Sequence, residues 1–238
     1  MIKDYVAFDI ETTGLSVETD YIIEIGALKV KDGKVCDRFM EFIKPPISIS
    51  PMITNITGIT NEMVSHARNT RDVIVDFVEF CEDFTLVGHN IMFDFKFTKK
   101  YASEYGFSFE KTGIDTLKIA RKMLSDLESK SLGTLCEYYH VTNQAAHRAY
   151  HDALATAKIY HYLAHDFEQT NPELFKAEAL QFKPKKTQPC TMKQIEFLKT
   201  LCTYHKINIQ EHPEQMTRSE MSRLIDNIIT RHGKMYTE

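Results

Sequence analysis

Asp9-Ile10-Glu11 sets two carboxylates two residues apart near the start of a 238-residue chain, and three later residues could join them in one chemistry. Asp94 closes the run Gly88-His89-Asn90-Ile91-Met92-Phe93-Asp94, and His147 stands five residues before Asp152. Four acids and no nearby thiolate make a donor set for hard divalent cations, with a histidine that by itself reads equally as an exposed loop residue. Spacing alone does not single these residues out. With 14 Asp and 19 Glu in the chain, about one D-x-E is expected by chance, and Asp126-Leu127-Glu128 supplies another. The interval from His to Asp recurs at 89/94, 147/152 and 161/166, so the elements that carry the residues must decide.

Tyr5 to Glu11 alternates so that Val6, Phe8 and Ile10 share one strand face while Asp9 and Glu11 share the other. Asp126 and Glu128 fall near a helix end, where positions i and i+2 diverge. The β-rich runs Tyr21 to Val30 and Val35 to Ile43 flank Lys31-Asp32-Gly33-Lys34, a hairpin signal, so three antiparallel strands open the fold. An opening strand of this kind is expected to be central and covered on both faces, where an acid needs a partner. Pro45, Pro46 and Pro51 end the meander; a helix over about Arg71 to Asp83 and a strand over Thr85 to His89 follow. Asp94 then lies at a strand-to-helix junction, where ligand sites of α/β sheets gather.

Further helices are expected over about Met92 to Tyr105, Thr116 to Leu124, Ser131 to Tyr139 and Tyr150 to Glu168. His147 precedes the last of these and can fold back toward Asp152 in its first turns. His161 and Asp166 lie inside that helix, about 140° apart around its axis, and decorate its surface. The fold class is α/β. Residues 171–190, with Asn171-Pro172, Lys183-Pro184-Lys185-Lys186 and Pro189, read as a linker after a domain of residues 1–170. Beyond it, Thr191-x-x-Gln194 and Thr217-x-x-Glu220 open two amphipathic helices, a small helical module over 191–238.

Composition narrows the function classes. Apolar residues make up 43% and charged residues 26% of the chain, an ordinary globular balance that excludes collagen-like and disordered readings. No apolar run approaches the roughly 20 residues of a membrane span, so a cytoplasmic location without membrane contact is expected. Cys36, Cys81, Cys136, Cys190 and Cys202 are scattered, giving neither a disulfide framework nor a zinc spacing, and read as buried thiols. Residues 1–170 hold 18 basic and 25 acidic residues, a net −7, while residues 171–238 hold 11 and 8, a net +3. Such a body does not advertise nucleic-acid binding, although acids gathered to hold cations give the same sign.

Taken in order along the chain, the four acids and the histidine resemble the DEDDh branch of the DnaQ-like 3′→5′ exonucleases. Phe8-Asp9-Ile10-Glu11-Thr12-Thr13-Gly14-Leu15 resembles the first motif of that family, Gly88 to Asp94 its HNxxFD motif, and His147-Arg148-Ala149-x-x-Asp152-Ala153 its third. Ile56-Thr57-Gly58-Ile59-Thr60 is similar to a further family segment, and the resemblance spans about residues 4 to 168. A sister branch uses Tyr-x-x-x-Asp; Arg148 occupies the tyrosine position, which favours the histidine branch.

The resemblance implies a ribonuclease H-like mixed sheet flanked by helices and a metal-dependent exonuclease that releases nucleotides from single-stranded or frayed 3′ ends of DNA. It implies two Mg2+ ions, replaceable by Mn2+, held by Asp9, Glu11, Asp94 and Asp152, with His147 as general base. Thr12, Thr13, Gly14 and Leu15 would meet the terminal nucleotide, Leu15 as a wedge between bases, and His89, Asn90 and Phe93 would line the same cleft. A DNA polymerase or another replication or repair protein is the implied partner. An enzyme trimming RNA ends and a silent nucleic-acid- or polymerase-binding module are the alternative readings.

Overall fold

A computed structural model of the chain describes residues 1–143, 145–185, 188–209 and 213–235. Residues 186 and 187 of the expected linker, and residues 210–212 and 236–238 of the expected C-terminal module, lie outside the described residues. The chain divides into two compact units, Met1–Pro184 and Lys185–Glu238.

The first unit is built on a six-stranded mixed sheet. Three strands form the antiparallel meander that the alternation predicts: β1 (Tyr5–Thr12), β2 (Ile22–Lys31) and β3 (Lys34–Phe42). Asp32 (φ 51°) and Gly33 (φ 75°) both adopt left-handed backbone in the turn between β2 and β3, as a two-residue hairpin loop requires. β4 (Thr85–Gly88) and β5 (Thr112–Asp115) add in parallel on the other side of β1, and β6 (Glu178–Ala179) closes that edge, for an order β3-β2-β1-β4-β5-β6.

β1 is therefore interior, and its two faces do different work. Val6, Phe8 and Ile10 enter a core with Phe77 of α3 (Thr70–Cys81) and with Phe95 and Phe97 of α4 (Met92–Glu104). These helices are the third and fourth in chain order, after α1 (Pro51–Thr57) and α2 (Asn61–Val64), two short helices that the sequence reading did not include. Tyr5 and Ala7 face the other way, into a core with α5 (Thr116–Met123), α6 (Leu132–Tyr138) and α7 (Ala149–Phe167). On α7 the buried residues include Ala149, Ala153, Ala157 and Ala164, small side chains that let the helix lie close to the sheet. The pleat that points Tyr5 and Ala7 at α7 points Asp9 and Glu11 there as well.

Residues 171–184 do not run as a bare connection. A 3-10 turn over Pro172–Phe175 buries Phe175, β6 pairs with β5, and Leu180 is buried. Cys81, Cys136 and Cys202 are buried and Cys190 is half-buried, but Cys36 is exposed on the edge strand β3, within a run of exposed residues from Lys34 to Arg38.

The second unit holds α8 (Met192–His205) and α9 (Arg218–His232), each opened by a complete capping box. Ile195, Leu198, Leu201, Met221, Ile225 and Ile228 form a core of their own. Pro189 bridges Thr217 at the start of both helices, and the rings of His205 and His232 stand 5.7 Å apart at their ends, so the two helices run parallel. Among the described residues no helix is long and apolar enough to cross a membrane.

Candidate active site

Two strands and two helix starts build one acidic pocket. Asp9 and Glu11 project from β1 opposite Gly26 and Glu24 of β2. Asp94 enters from the first turn of α4, buried, and its Oδ1 accepts a 3.0 Å hydrogen bond from the Ile10 backbone N–H, which ties that helix to the strand between the two acids. Asp152 enters from the first turn of α7. Donor atoms of Glu11, His147 and Asp152 lie within 4.8 Å of one another.

Burial and mutual repulsion set the charge state of this group. Desolvation first, then the carboxylates of Asp94, Glu11, Asp152 and Glu24, push the Asp9 carboxyl well above the usual range. Glu11 is pushed up to about 8 by burial and by Asp152 and Glu24, with Arg148 opposing. Burial raises Asp94 against the pull of the Ile10 N–H. Asp152 is also raised by burial, against hydrogen bonds from Asn143 and the His147 N–H. Among the described residues no salt bridge reaches Asp9, Glu11, Asp94 or Asp152; Arg148, whose charge does reach Glu11, is committed to Glu24 at 3.0 Å. The pocket is thus a set of oxygen donors without a built-in counterion, which suits divalent cations such as Mg2+ or Mn2+.

His147 sits at the rim. It is exposed, its backbone is left-handed (φ 63°), and its N–H donates to Asp152 Oδ2 at 2.8 Å. Asn143 Nδ2 donates to the other oxygen, Oδ1, at 2.6 Å. The loop before α7 therefore grips Asp152 at both oxygens while the exposed imidazole keeps a ring nitrogen within 4.8 Å of the Glu11 and Asp152 oxygens.

Three residues that the sequence reading did not single out hold α7 in place. Glu24, 4% exposed, pairs with Arg148 and accepts the Ala149 N–H at 3.1 Å, so a β2 side chain caps the helix start that lacks a cap of its own. Gly26 lies against that same turn: a Cβ there would stand 1.9 Å from the Tyr150 backbone nitrogen. Asn143 is the third. An acid and a glycine inside the apolar run Ile22-Ile23-Glu24-Ile25-Gly26 are a legible signal of a buried partner and of close backbone approach; Asn143 has no such local signal.

The loop after β1 is equally fixed. Thr12 Oγ1 donates to the Gly14 carbonyl at 2.6 Å, and Asp20 accepts from Thr13 Oγ1 at 3.3 Å and from the Ser16 N–H at 2.9 Å. Gly14 packs on the Asp20 carboxylate, where a Cβ would come within 2.6 Å. This frame presents Leu15 at 86% exposure, an apolar side chain held out to solvent.

On the Asp94 side, Asn90 is left-handed (φ 67°) and exposed, and its N–H donates to Asp115 Oδ1 at 2.9 Å, the same oxygen that accepts from Leu117 at the start of α5. His89 turns its Nδ1 to Thr116 Oγ1 at 2.9 Å, and burial lowers its pKa. Phe93 is half-buried, with its ring 5.1 Å from that of Phe97.

The profile of the RNase_T family, described as exonuclease, matches residues 6–160. The chain belongs to this exonuclease family. It is 45% identical over 157 residues to a PolC-type DNA polymerase III of Caldanaerobacter subterraneus and 40% identical over 156 residues to that of Clostridium perfringens. Each match covers 66% of this chain and 11% of the relative, so the chain spans about a ninth of the length of these polymerases. Among solved structures, E. coli exonuclease I in complex with a dA16 oligonucleotide superposes with a TM-score of 0.61 at 19% identity, covering 73% of this chain and 42% of that one, a likeness of fold. Exonuclease X in complex with 5′ overhanging duplex DNA gives a TM-score of 0.56 at 25% identity, covering 71% and 96%. The family match begins within β1 and ends within α7, so it takes in every element that carries an acid of the pocket.

Proposed function

We propose that this exonuclease removes nucleotides from the 3′ ends of DNA, single-stranded or frayed, by two-metal-ion phosphodiester hydrolysis in proofreading or repair. The observation that carries the reading is the convergence of Asp9 and Glu11 from β1 with Asp94 and Asp152 from two helix starts, where among the described residues no salt bridge reaches any of the four and a His147 nitrogen lies within 4.8 Å of Glu11 and Asp152 oxygens. Asp9, Glu11, Asp94 and Asp152 would hold the ions. When bound, a pair of Mg2+ or Mn2+ ions supplies positive charge to the attacking and leaving oxygens of an in-line displacement at phosphorus.

The chain's own groups do the rest. His147, its main chain pinned by Asp152, presents an imidazole nitrogen to accept the proton of the attacking water. The Asp20-braced loop holds Leu15 out to part the last two bases, while the backbone of Thr12, Thr13 and Gly14 meets the terminal sugar. His89, Asn90 and Phe93 form the opposite wall. The PolC-type relatives are polymerases, which supports a DNA polymerase or another replication or repair protein as partner.

Oligonucleotides labelled at either end, DNA and RNA, matched and 3′-mismatched, test the reading in EDTA and in Mg2+. The expected result is stepwise metal-dependent shortening of DNA from its 3′ end. Asp9→Ala abolishes it, and His147→Ala slows turnover by about 10²- to 10⁴-fold while Mn2+ uptake by calorimetry persists. Shortening from the 5′ end, or full activity of Asp9→Ala, would overturn the proposal; preferential loss of RNA would move the substrate to the alternative class.

A further inference from the structure

The C-terminal unit has a surface that its own fold leaves unused. On α8 the inward residues Ile195, Leu198, Leu201 and Cys202 meet α9, while Phe197 and Tyr204 stay 42% and 50% exposed. They are seven residues apart, so about 20° apart around the axis and about 10.5 Å along it. Two rings thus stand in line on one side of the helix. Lys193 and Lys199 are exposed on α8 and Lys206 is the exposed, left-handed residue that caps its C-terminal end, and among the described residues none of them enters a salt bridge; Glu196 is the acid on the exposed part of α8.

Charge points the same way. The unit Lys185–Glu238 carries 9 basic and 6 acidic residues, a net +3, which leaves 20 basic and 27 acidic residues, a net −7, in Met1–Pro184. A polyanion is repelled by the nuclease unit outside its cation site and attracted by the tail. Lys193 lies within about 40° of the two rings around the axis, while Lys199 stands about 140–160° from them, on the far flank of the exposed face; rings on one flank with ammonium groups beside and across from them are the chemistry of a single-strand platform, where bases stack on aromatic faces and ammonium groups meet the backbone phosphates.

We infer that the outer face of α8 binds single-stranded DNA through Phe197 and Tyr204, with Lys193, Lys199 and Lys206 on its phosphates, so that the tail holds strand which the catalytic unit trims. The inference rests on the proposed function for its substrate class, and binding is measured with hydrolysis suspended.

The full chain in EDTA is titrated against a fluorescent dT oligomer of about 20 nucleotides, a length above the roughly 4–16 nucleotides that one binding fold occupies, with a duplex of equal length as control. The doubly substituted Phe197→Ala, Tyr204→Ala chain is expected to bind the single strand at least about tenfold more weakly, since stacking contributes about 1–3 kcal/mol per base. Lys193→Gln with Lys199→Gln should lower the slope of log affinity against log salt by about 1.4, at roughly 0.7 per phosphate contact on a single strand. Both variants change exposed positions and leave the unit's core intact. Wild-type affinity in the aromatic variant, an unchanged salt slope in the lysine variant, or equal binding of duplex would overturn the inference. A chain that binds through α8 yet fails to shorten DNA in Mg2+ would instead overturn the proposed function.

Discussion

Asp152 is the acid whose orientation is most completely specified, because Asn143 and the His147 N–H each satisfy one of its oxygens. A side chain that orients a cation ligand typically contributes about 10- to 100-fold in affinity or activity. Asn143→Leu, similar in size but without an amide donor, is therefore expected to weaken Mn2+ binding by about that factor in calorimetry, with the melting profile of the metal-free chain little changed. Glu11 makes a prediction of opposite kind. Its pKa of about 8, against an ordinary value of 4.5, means that the metal-free folded chain keeps a proton that the unfolded chain releases. The folded state binds more protons across that window, so stability falls as pH rises from the ordinary value to the raised one. Thermal melts in EDTA should show a Tm that declines between these pH values and a flatter decline in Glu11→Gln. Added Mn2+ must displace that proton, so its stabilising effect should grow toward the alkaline end.

At the scale of elements, the contact that fixes the pocket is α7 on β2. Gly26→Ala would press a methyl group into the Tyr150 main chain, which cannot rotate away, so the first turn of α7 must lift and carry Asp152 with it. A stability loss at the upper end of the about 1–3 kcal/mol typical of overpacking is expected in urea titration, accompanied by loss of hydrolysis. What was legible in the sequence follows from the range of each interaction. The strand faces of Val6, Phe8 and Ile10 and of Asp9 and Glu11 follow from local alternation, and the Asp32-Gly33 turn and both tail caps are written within four residues. Glu24 acts 125 residues away on Ala149, a distance across which no periodicity speaks. The same applies to residues 171–184: a four-residue turn and a two-residue strand hold by Phe175, Leu180 and one ladder, and are too short to show a period against proline-rich surroundings. The short helices α1 and α2, seven and four residues long, show no period either; their local marks are the Ser50 and Thr60 caps and, for α1, Pro51 at its start and the left-handed Gly58 at its end.

At the scale of the molecule the C-terminal unit keeps a core of its own, apart from those of Met1–Pro184. The tail's own cluster is small, and Met221, 0% exposed, lies within it. Truncation of a buried methionine to alanine costs about 2–5 kcal/mol, a large part of what so small a unit can hold. Calorimetric unfolding is expected to show two transitions, and Met221→Ala should lower or abolish one while the transition of Met1–Pro184 stays in place. A single transition shifted as a whole would show that the units unfold together.

Helix and strand meet main chain against main chain at Gly26, with the Glu24 clamp beside it. Side-chain rotation therefore cannot retune the gap between the wall bearing Asp9 and Glu11 and the wall bearing Asp152. In such a vise, reach matters as much as charge. A glutamate in place of Asp152 keeps the carboxylate but adds a methylene that neither wall can yield to, so similarity of chemical type is no guide to which replacements this pocket tolerates.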